Sequence, residues 1–161
     1  MPPSITIEPI SESNFDEFLR LIDRLAEYEK LDPPDEGARA RLWEHGLGEH
    51  PLYEAFIARL DGEVVAYAIY FMTYSSFKAM PTLYLEDIFV LEEHRRKGVG
   101  RRMFARVVAR AKEKGCGRME WCVLDWNTPA QRFYKATGAE RLGWYFYRLD
   151  GGKFEGAPPS E

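Results

Sequence analysis

Apolar and polar residues recur at two different periods along the chain, and the switches between them mark out the elements. Ile5–Pro9 alternates with period two and predicts a short first strand. Phe15, Leu19, Ile22 and Leu25 then recur at helical spacing, so a helix runs to about Lys30, with Ser13 and Asp16 placed as a capping box. Asp32-Pro33-Pro34-Asp35 breaks it, and a second, weaker helix follows over 35–45, ended by Gly46, Gly48 and Pro51. Residues 53–60 and 63–74 are β-rich runs joined by Asp61-Gly62, a dipeptide that tolerates the positive φ values of a two-residue hairpin turn. Residues 82–91 form a further strand. A long helix over 96–114 sets an apolar stripe of Val99, Met103, Val107 and Ala111 beside a basic one of Arg102, Arg106 and Arg110, and Gly115 closes it. Then come a strand over 119–124 and a helix over 128–137, with Asn127 as N-cap and Pro129 in its first turn. Gly138 stops that helix, and a last strand spans 144–149.

The order β-α-α-β-β-β-α-β-α-β predicts an α/β (α+β) fold: a mixed central sheet, one antiparallel hairpin plus one βαβ crossover, with helices on both faces. It reads as a single domain over residues 1–150 followed by a Pro/Gly-rich, frayed tail over 151–161. A length of 161 residues is near the commonest size for one domain.

Composition narrows the partners. Apolar residues make up 45% and charged residues 30%, the balance of a soluble globular protein, and the net charge of −4 disfavours a nucleic-acid binder. Ten of the 22 Lys and Arg nevertheless fall within residues 95–118. A local cationic patch on an acidic protein suits an anionic small molecule better than a long polyanion. Cys116 and Cys122 match no zinc or redox spacing and read as reduced thiols in a cytoplasmic chain. Residues 1–11 lack the features of a signal peptide, and no apolar run is long enough to span a bilayer, so no membrane partner is expected. His45, His50 and His94 form no metal or nucleophile constellation, and no metal is expected.

The segment Arg95-Arg96-Lys97-Gly98-Val99-Gly100 lies between a strand and a helix. The first amides of a helix have no internal partner and carry the positive end of its dipole. Gly98 and Gly100 let a phosphate approach the backbone, and Arg95, Arg96, Lys97, Arg101 and Arg102 add charge. A P-loop is excluded because no Gly-Lys-Ser/Thr is present, and the dinucleotide fingerprint fails because Met103 stands where its third glycine should. From these six residues alone a solvated, basic helix start is equally open.

Wider motifs carry the reading further. Arg95-x-x-Gly98-x-Gly100 resembles the acetyl-CoA pyrophosphate signature of the GNAT superfamily of N-acetyltransferases. The strand Tyr84-Leu85-Glu86-Asp87-Ile88-Phe89-Val90, then Asp125-Trp126-Asn127 and Phe133-Tyr134-Lys135-Ala136-Thr137-Gly138-Ala139, are similar to its spermidine/spermine (diamine) and thialysine branch. The likeness extends upstream to Leu25-Ala26-Glu27-Tyr28-Glu29, Gly48-Glu49-His50-Pro51 and Tyr70-Phe71. The resemblance implies the GNAT fold, a homodimer, and transfer of an acetyl group from acetyl-CoA to a primary amine by direct attack. It assigns the pantetheine arm to Ile88, Phe89 and Val90, and the pyrophosphate to Arg95, Arg96, Lys97, Gly98, Val99, Gly100 and Arg101. It places Asn127, Thr128, Pro129, Ala130 and Tyr134 along the rest of the cofactor.

Transfer of this kind needs a neutral amine, a polarised carbonyl and a protonated leaving thiol. A Lys-type amine, with a pKa of about 10.4, is mostly charged at neutral pH, so a base must take its proton. The resemblance makes Glu86 that base and Tyr134 the acid that protonates the leaving sulfur. It places the amine among Tyr28, Glu29, Glu86, Glu120, Trp121 and Cys122, where carboxylates attract a cation and aromatic faces add cation–π contact. Without it, Glu86 reads as an exposed strand residue and Tyr134 as a core tyrosine. Two departures bear on the acceptor. Ser75 stands where the polyamine enzymes carry an acidic residue, and Glu140-Arg141-Leu142 is shorter than their acidic stretch. Both remove charge that would hold a second ammonium, and so favour a short or lysine-like amine over a long polyamine. The competing readings are an acetyltransferase for protein lysines or aminoglycosides and a non-enzymatic acyl-CoA-binding module.

Overall fold

The computed structural model describes residues 1–156, so the last part of the expected tail, 157–161, lies outside the described residues. The chain forms two compact units, Met1–Cys122 and Val123–Glu161.

The first unit carries a five-stranded sheet in the order β1-β2-β3-β4-β5: β1 (Ile5–Pro9), β2 (Glu54–Leu60), β3 (Glu63–Ser75), β4 (Met80–Val90) and β5 (Arg118–Glu120). The first three pairings are antiparallel and β4–β5 is parallel. The mixed sheet expected from the element order is therefore present. Asp61 and Gly62 turn the β2–β3 hairpin at φ 51° and 90°, the two positive values that a two-residue turn needs.

Each sheet face is closed by helices. On one side α1 (Phe15–Glu29) buries Phe15, Phe18 and Leu21 against Ile57, Tyr67, Ile69 and Phe89, and Leu42 and Leu47 of α2 (Glu36–Leu47) join them. On the other side α3 (Val99–Glu113) sets Val99, Met103, Val107 and Ala111 on Phe56, Ala68, Tyr70, Leu83 and Leu85. That stripe is the one its periodicity predicted.

Three boundaries differ from expectation. The residue before α1 is Asn14 and not Ser13, and it makes no side-chain cap. Asn14 is buried, accepts from the Ser11 amide at 2.8 Å and donates to the Pro9 carbonyl at 3.1 Å, tying the end of β1 to the helix start. The helix expected from Arg96 starts at Val99, because Arg96 (φ 61°) and Gly98 (φ 84°) are left-handed. β5 stops at Glu120, since only Thr82–Tyr84 of β4 offers it a partner.

The second unit contains α4 (Thr128–Ala136), whose N-cap Asn127 accepts from the Ala130 amide at 3.3 Å as the sequence predicts. The strand expected over 144–149 is not formed, and Trp144, Tyr145, Phe146 and Tyr147 are all more than two-thirds exposed. The tail carries one tight turn, Gly151–Lys153.

Packing at the α2–β2 junction yields a stability prediction. A Cβ on Gly46 would lie 2.4 Å from the Tyr53 hydroxyl, which donates to the Leu42 carbonyl at 2.6 Å. Gly46→Ala must displace that phenol, and is expected to cost about 1–3 kcal/mol, read as a lowered Tm.

Candidate functional site

The chemistry-bearing side chains gather where β4 is irregular. Ile69 of β3 faces Asp87, but the next residue, Tyr70, faces Leu85, so Glu86 is an extra, unopposed residue: a β-bulge. The bulge reverses the strand's parity. Before it, Leu83 and Leu85 point to α3; after it, Ile88 and Val90 pack on that side, and Asp87 and Phe89 turn toward α1. Glu86 itself is exposed.

On the α1 face, the Tyr67 hydroxyl donates to Asp87 Oδ2 at 3.0 Å. Burial holds Asp87 up at about 6; the Tyr67 bond opposes the shift, and the negative fields of Glu86 and Glu29 add to it. Glu29, the last residue of α1, is likewise raised, by burial first and Glu86 second. The charge of Glu86 thus bears on both, and a site that makes Glu29 and Asp87 hard to ionise is one that gains by taking up a cation. Tyr28 flanks them, its ring 6.0 Å from that of Phe89. Tyr84 closes the group: its hydroxyl donates to Cys122 Sγ at 3.3 Å. Burial, that bond and the charges of Glu86 and Glu120 push the phenol above its ordinary range.

The raised Asp87 has a consequence for stability. Below about pH 4 the carboxyl is protonated folded or unfolded; between there and about 6 the unfolded chain loses the proton while the folded chain keeps it. Stability from this group therefore falls as pH rises through that window. Asp87→Asn is expected to be closer to wild type at pH 4 and to gain on it by pH 7, measured as urea unfolding free energy.

Of the residues expected around the amine, Tyr28, Glu29 and Glu86 are brought together on this face. Glu120 of β5 and Cys122, two residues past its end, reach it through Tyr84, although Glu120 also pairs with Arg118 at 2.9 Å. Trp121 is directed elsewhere: its ring meets Phe104 of α3 edge-on at 5.5 Å. Asp87, Tyr67 and Tyr84 were not singled out by motif as amine-site residues. Ser75, read as a missing site charge, is buried and serves the hairpin, its Oγ accepting from the Lys78 amide at 3.2 Å.

The edge of β4 beyond β5 is the second component. The Leu91 amide bonds the Val65 carbonyl at 2.9 Å, which fixes the hydrogen-bonding phase of the β3–β4 ladder. By alternation, the backbone groups of Ile88 and Val90 point away from β3, toward the edge that β5 leaves after Tyr84, while those of Phe89 point to β3. Just beyond, no side chain among the described residues caps α3. Arg96 lies at positive φ, left-handed Gly98 followed by helical Val99 has the alternating hand of a backbone nest, and a Cβ at Gly98 would meet nothing within 4 Å. Val99, Gly100 and Arg101 follow with the unpaired amides of a first turn, and Arg96, Lys97 and Arg101 are exposed. An extended amide-bearing arm ending in a pyrophosphate fits this edge and this helix start.

Arg95, expected to join that cradle, directs its side chain elsewhere. Its Nε donates to the Val90 carbonyl at 3.0 Å, and its guanidinium lies 4.8 Å from the Tyr28 ring centroid. In the second unit, Asn127, Thr128, Pro129 and Ala130 form the first turn of α4, and Tyr134 lies on that helix, half-buried beside Phe133.

Comparison with known proteins meets this geometry from the other side. Residues 17–139 match the model of the acetyltransferase (GNAT) family. The chain is 38% identical over 159 residues to a thialysine N-epsilon-acetyltransferase of Bos taurus, covering 91% of this chain and 93% of the bovine one. It is 42% identical over 106 residues to L-ornithine N5-acetyltransferase NATA1 of Arabidopsis thaliana, covering 64% of this chain and 46% of that one. In fold it is similar to an aminoglycoside N-acetyltransferase solved in complex with CoA, with a TM-score of 0.76 at 23% identity over 94% of this chain and 97% of the other. A bulged strand beside an uncapped, glycine-led helix and a whole-length match to acetyltransferases agree, and the chain belongs to the acetyltransferase (GNAT) family.

Proposed function

We propose that this protein transfers the acetyl group of acetyl-CoA to a primary amine of a short or lysine-like small molecule such as thialysine, with long polyamines as poorer acceptors. The observation that carries the reading is the exposed, unopposed Glu86 at the bulge, with Glu29 and Asp87 within its field, beside a strand edge open to the donor. It is supported by the likeness to the bovine thialysine enzyme across nearly both chains. The family match crosses the boundary between the two units, which supports their acting as one domain.

The outward groups of Ile88 and Val90 would hold the pantetheine arm by adding it to the sheet edge, with Phe89 between them packing toward α1. Arg96, Lys97, Gly98, Val99, Gly100 and Arg101 would hold the pyrophosphate, and Asn127, Thr128, Pro129 and Ala130 would border the arm. Bound there, acetyl-CoA supplies an activated thioester carbonyl. Glu29, Glu86 and Asp87 attract the ammonium, with Tyr28, Tyr67 and Tyr84 around them. Glu120 and Cys122 shape the β5 side, and Trp121 braces it from behind. Glu86, the exposed member, accepts the amine's proton and leaves a lone pair for attack. An outward amide of β4 polarises the carbonyl oxygen. Tyr134 returns a proton to the departing sulfur. A thiolate with a reference pKa of about 8.5 leaves readily, so Tyr134→Phe is expected to lower kcat by only about 10–100-fold. An unchanged kcat would remove Tyr134 as the acid.

Ser75 and the short 140–142 segment leave no extra carboxylate for a second ammonium, which supports the lysine-like acceptor. A homodimer is part of the reading, supported by the exposure of Trp144, Tyr145, Phe146 and Tyr147, which a second copy would cover. A cytoplasmic setting is supported by two free cysteines. Thiol release from acetyl-CoA against thialysine, lysine, putrescine, spermidine and an aminoglycoside tests the proposal. The expected order puts thialysine first, and a spermidine kcat/KM far above that of the lysine analogues would overturn it.

A further inference from the structure

Arg95 opens the glycine-containing loop, yet its guanidinium is engaged on three sides by groups other than the loop's own amides. Nε–H donates to the Val90 carbonyl at 3.0 Å, one of the groups that β4 turns to its open edge. The guanidinium carbon lies 4.8 Å from the Tyr28 ring centroid and 5.7 Å from that of Phe89, and Nη1 is 3.7 Å from Glu92. Tyr28 immediately precedes Glu29 at the end of α1, and Lys30 after it is left-handed, so the helix stops there. Phe89 lies between Ile88 and Val90, whose backbone groups point to the open edge. One planar cation therefore joins the end of the acceptor helix, the last donor-side carbonyl of β4 and the start of the phosphate loop.

We propose that Arg95 is a positioning residue for the acceptor: by clamping Tyr28 over Phe89 it fixes Glu29 relative to Glu86 and Asp87, and it contributes little to phosphate binding. This rests on the amine acetyltransferase reading above. The physical requirement is a flat, delocalised cation that can stack and donate at once. Lysine keeps the charge but has no plane and no Nε–H fork, so charge alone does not replace it.

Steady-state kinetics of Arg95→Lys and Arg95→Gln, varying acetyl-CoA and thialysine separately, test this. Both variants are expected to raise the amine KM about tenfold or more, while the acetyl-CoA KM moves less than about threefold. A raised acetyl-CoA KM that Lys rescues and salt deepens would make Arg95 a phosphate contact and overturn the proposal. A lowered Tm with both KM values unmoved would overturn it too. If neither Arg95 variant folds, Tyr28→Phe and Tyr28→Leu decide. Phe keeps the stacked face and is expected to raise the amine KM severalfold less than Leu, which loses it. Equal effects of Phe and Leu would sink the clamp. Wild-type turnover is the control. No turnover of any amine fails the acetyltransferase reading on small amines, whereas an active wild type with an unmoved amine KM in Arg95→Lys fails only the role given to Arg95.

Discussion

Glu86→Gln is expected to lower kcat by about 10²–10⁴-fold and leave the acetyl-CoA KM within about threefold. Glutamine keeps the shape and hydrogen-bonding reach of glutamate, but it takes no proton from an ammonium and exerts no charge on its neighbours. Two readouts separate these effects. Loss of the negative field relaxes Asp87 and Glu29 toward the ordinary carboxylate range, since Glu86 is one of the causes that raise both. The acid limb of the pH–rate profile should therefore shift to lower pH. Loss of the base should matter less as the solution supplies neutral amine, so the ratio of wild-type to variant kcat should shrink as pH approaches about 10. A ratio that stays constant from pH 7 to pH 10 would mean that Glu86 is not the base.

The second large effect belongs to the donor side. Gly98→Val is expected to raise the acetyl-CoA KM by about 10–100-fold, with a smaller change in the amine KM. Gly98 lies at φ 84°, where a β-branched residue is strained, and its missing Cβ opens onto free space at the start of α3. Valine would either twist the loop out of its nest or place two methyl groups where a phosphate should sit. Gly98→Ala should fall between valine and wild type. A valine variant with normal acetyl-CoA affinity would show that the pyrophosphate binds elsewhere. Calorimetric binding of CoA to each variant measures this without turnover.

Much of the scaffold was legible because most elements bury one face. The α3 stripe and the Asp61-Gly62 hairpin follow from period and turn chemistry, and the structure has both. The bulge was not legible. Ile88, Phe89 and Val90 are all apolar, because both sides of the sheet are covered there, and a run without alternation carries no parity to break. Asp87 therefore read as a neighbour of Glu86, when it is the half-buried partner of Tyr67. Tyr67 lies in the β-rich run 63–74 and no motif marks it. The segment 144–149 failed for another reason: aromatic residues favour strands, but propensity supplies no hydrogen-bond partner, and a strand exists only as a pair. The direction of Arg95 was hidden because a motif specifies a backbone path and is silent on where a long side chain goes.

The bulge at Glu86 also divides the evolutionary labour along one strand. Past it, even-numbered positions feed the packing against α3 and odd-numbered ones turn toward α1, the side on which the proposed acceptor site lies. Asp87 can drift toward a new substrate while Ile88 and Val90 stay as they are. A lineage can thus explore many amines with its donor machinery untouched. Loss of Glu86 itself would restore regular pairing and keep both sets in place, whereas a one-residue deletion between Asp87 and Val90 would exchange the residues beyond it at a stroke, so descendants of this gene should tolerate substitution at Asp87 and show almost no length change over 87–90.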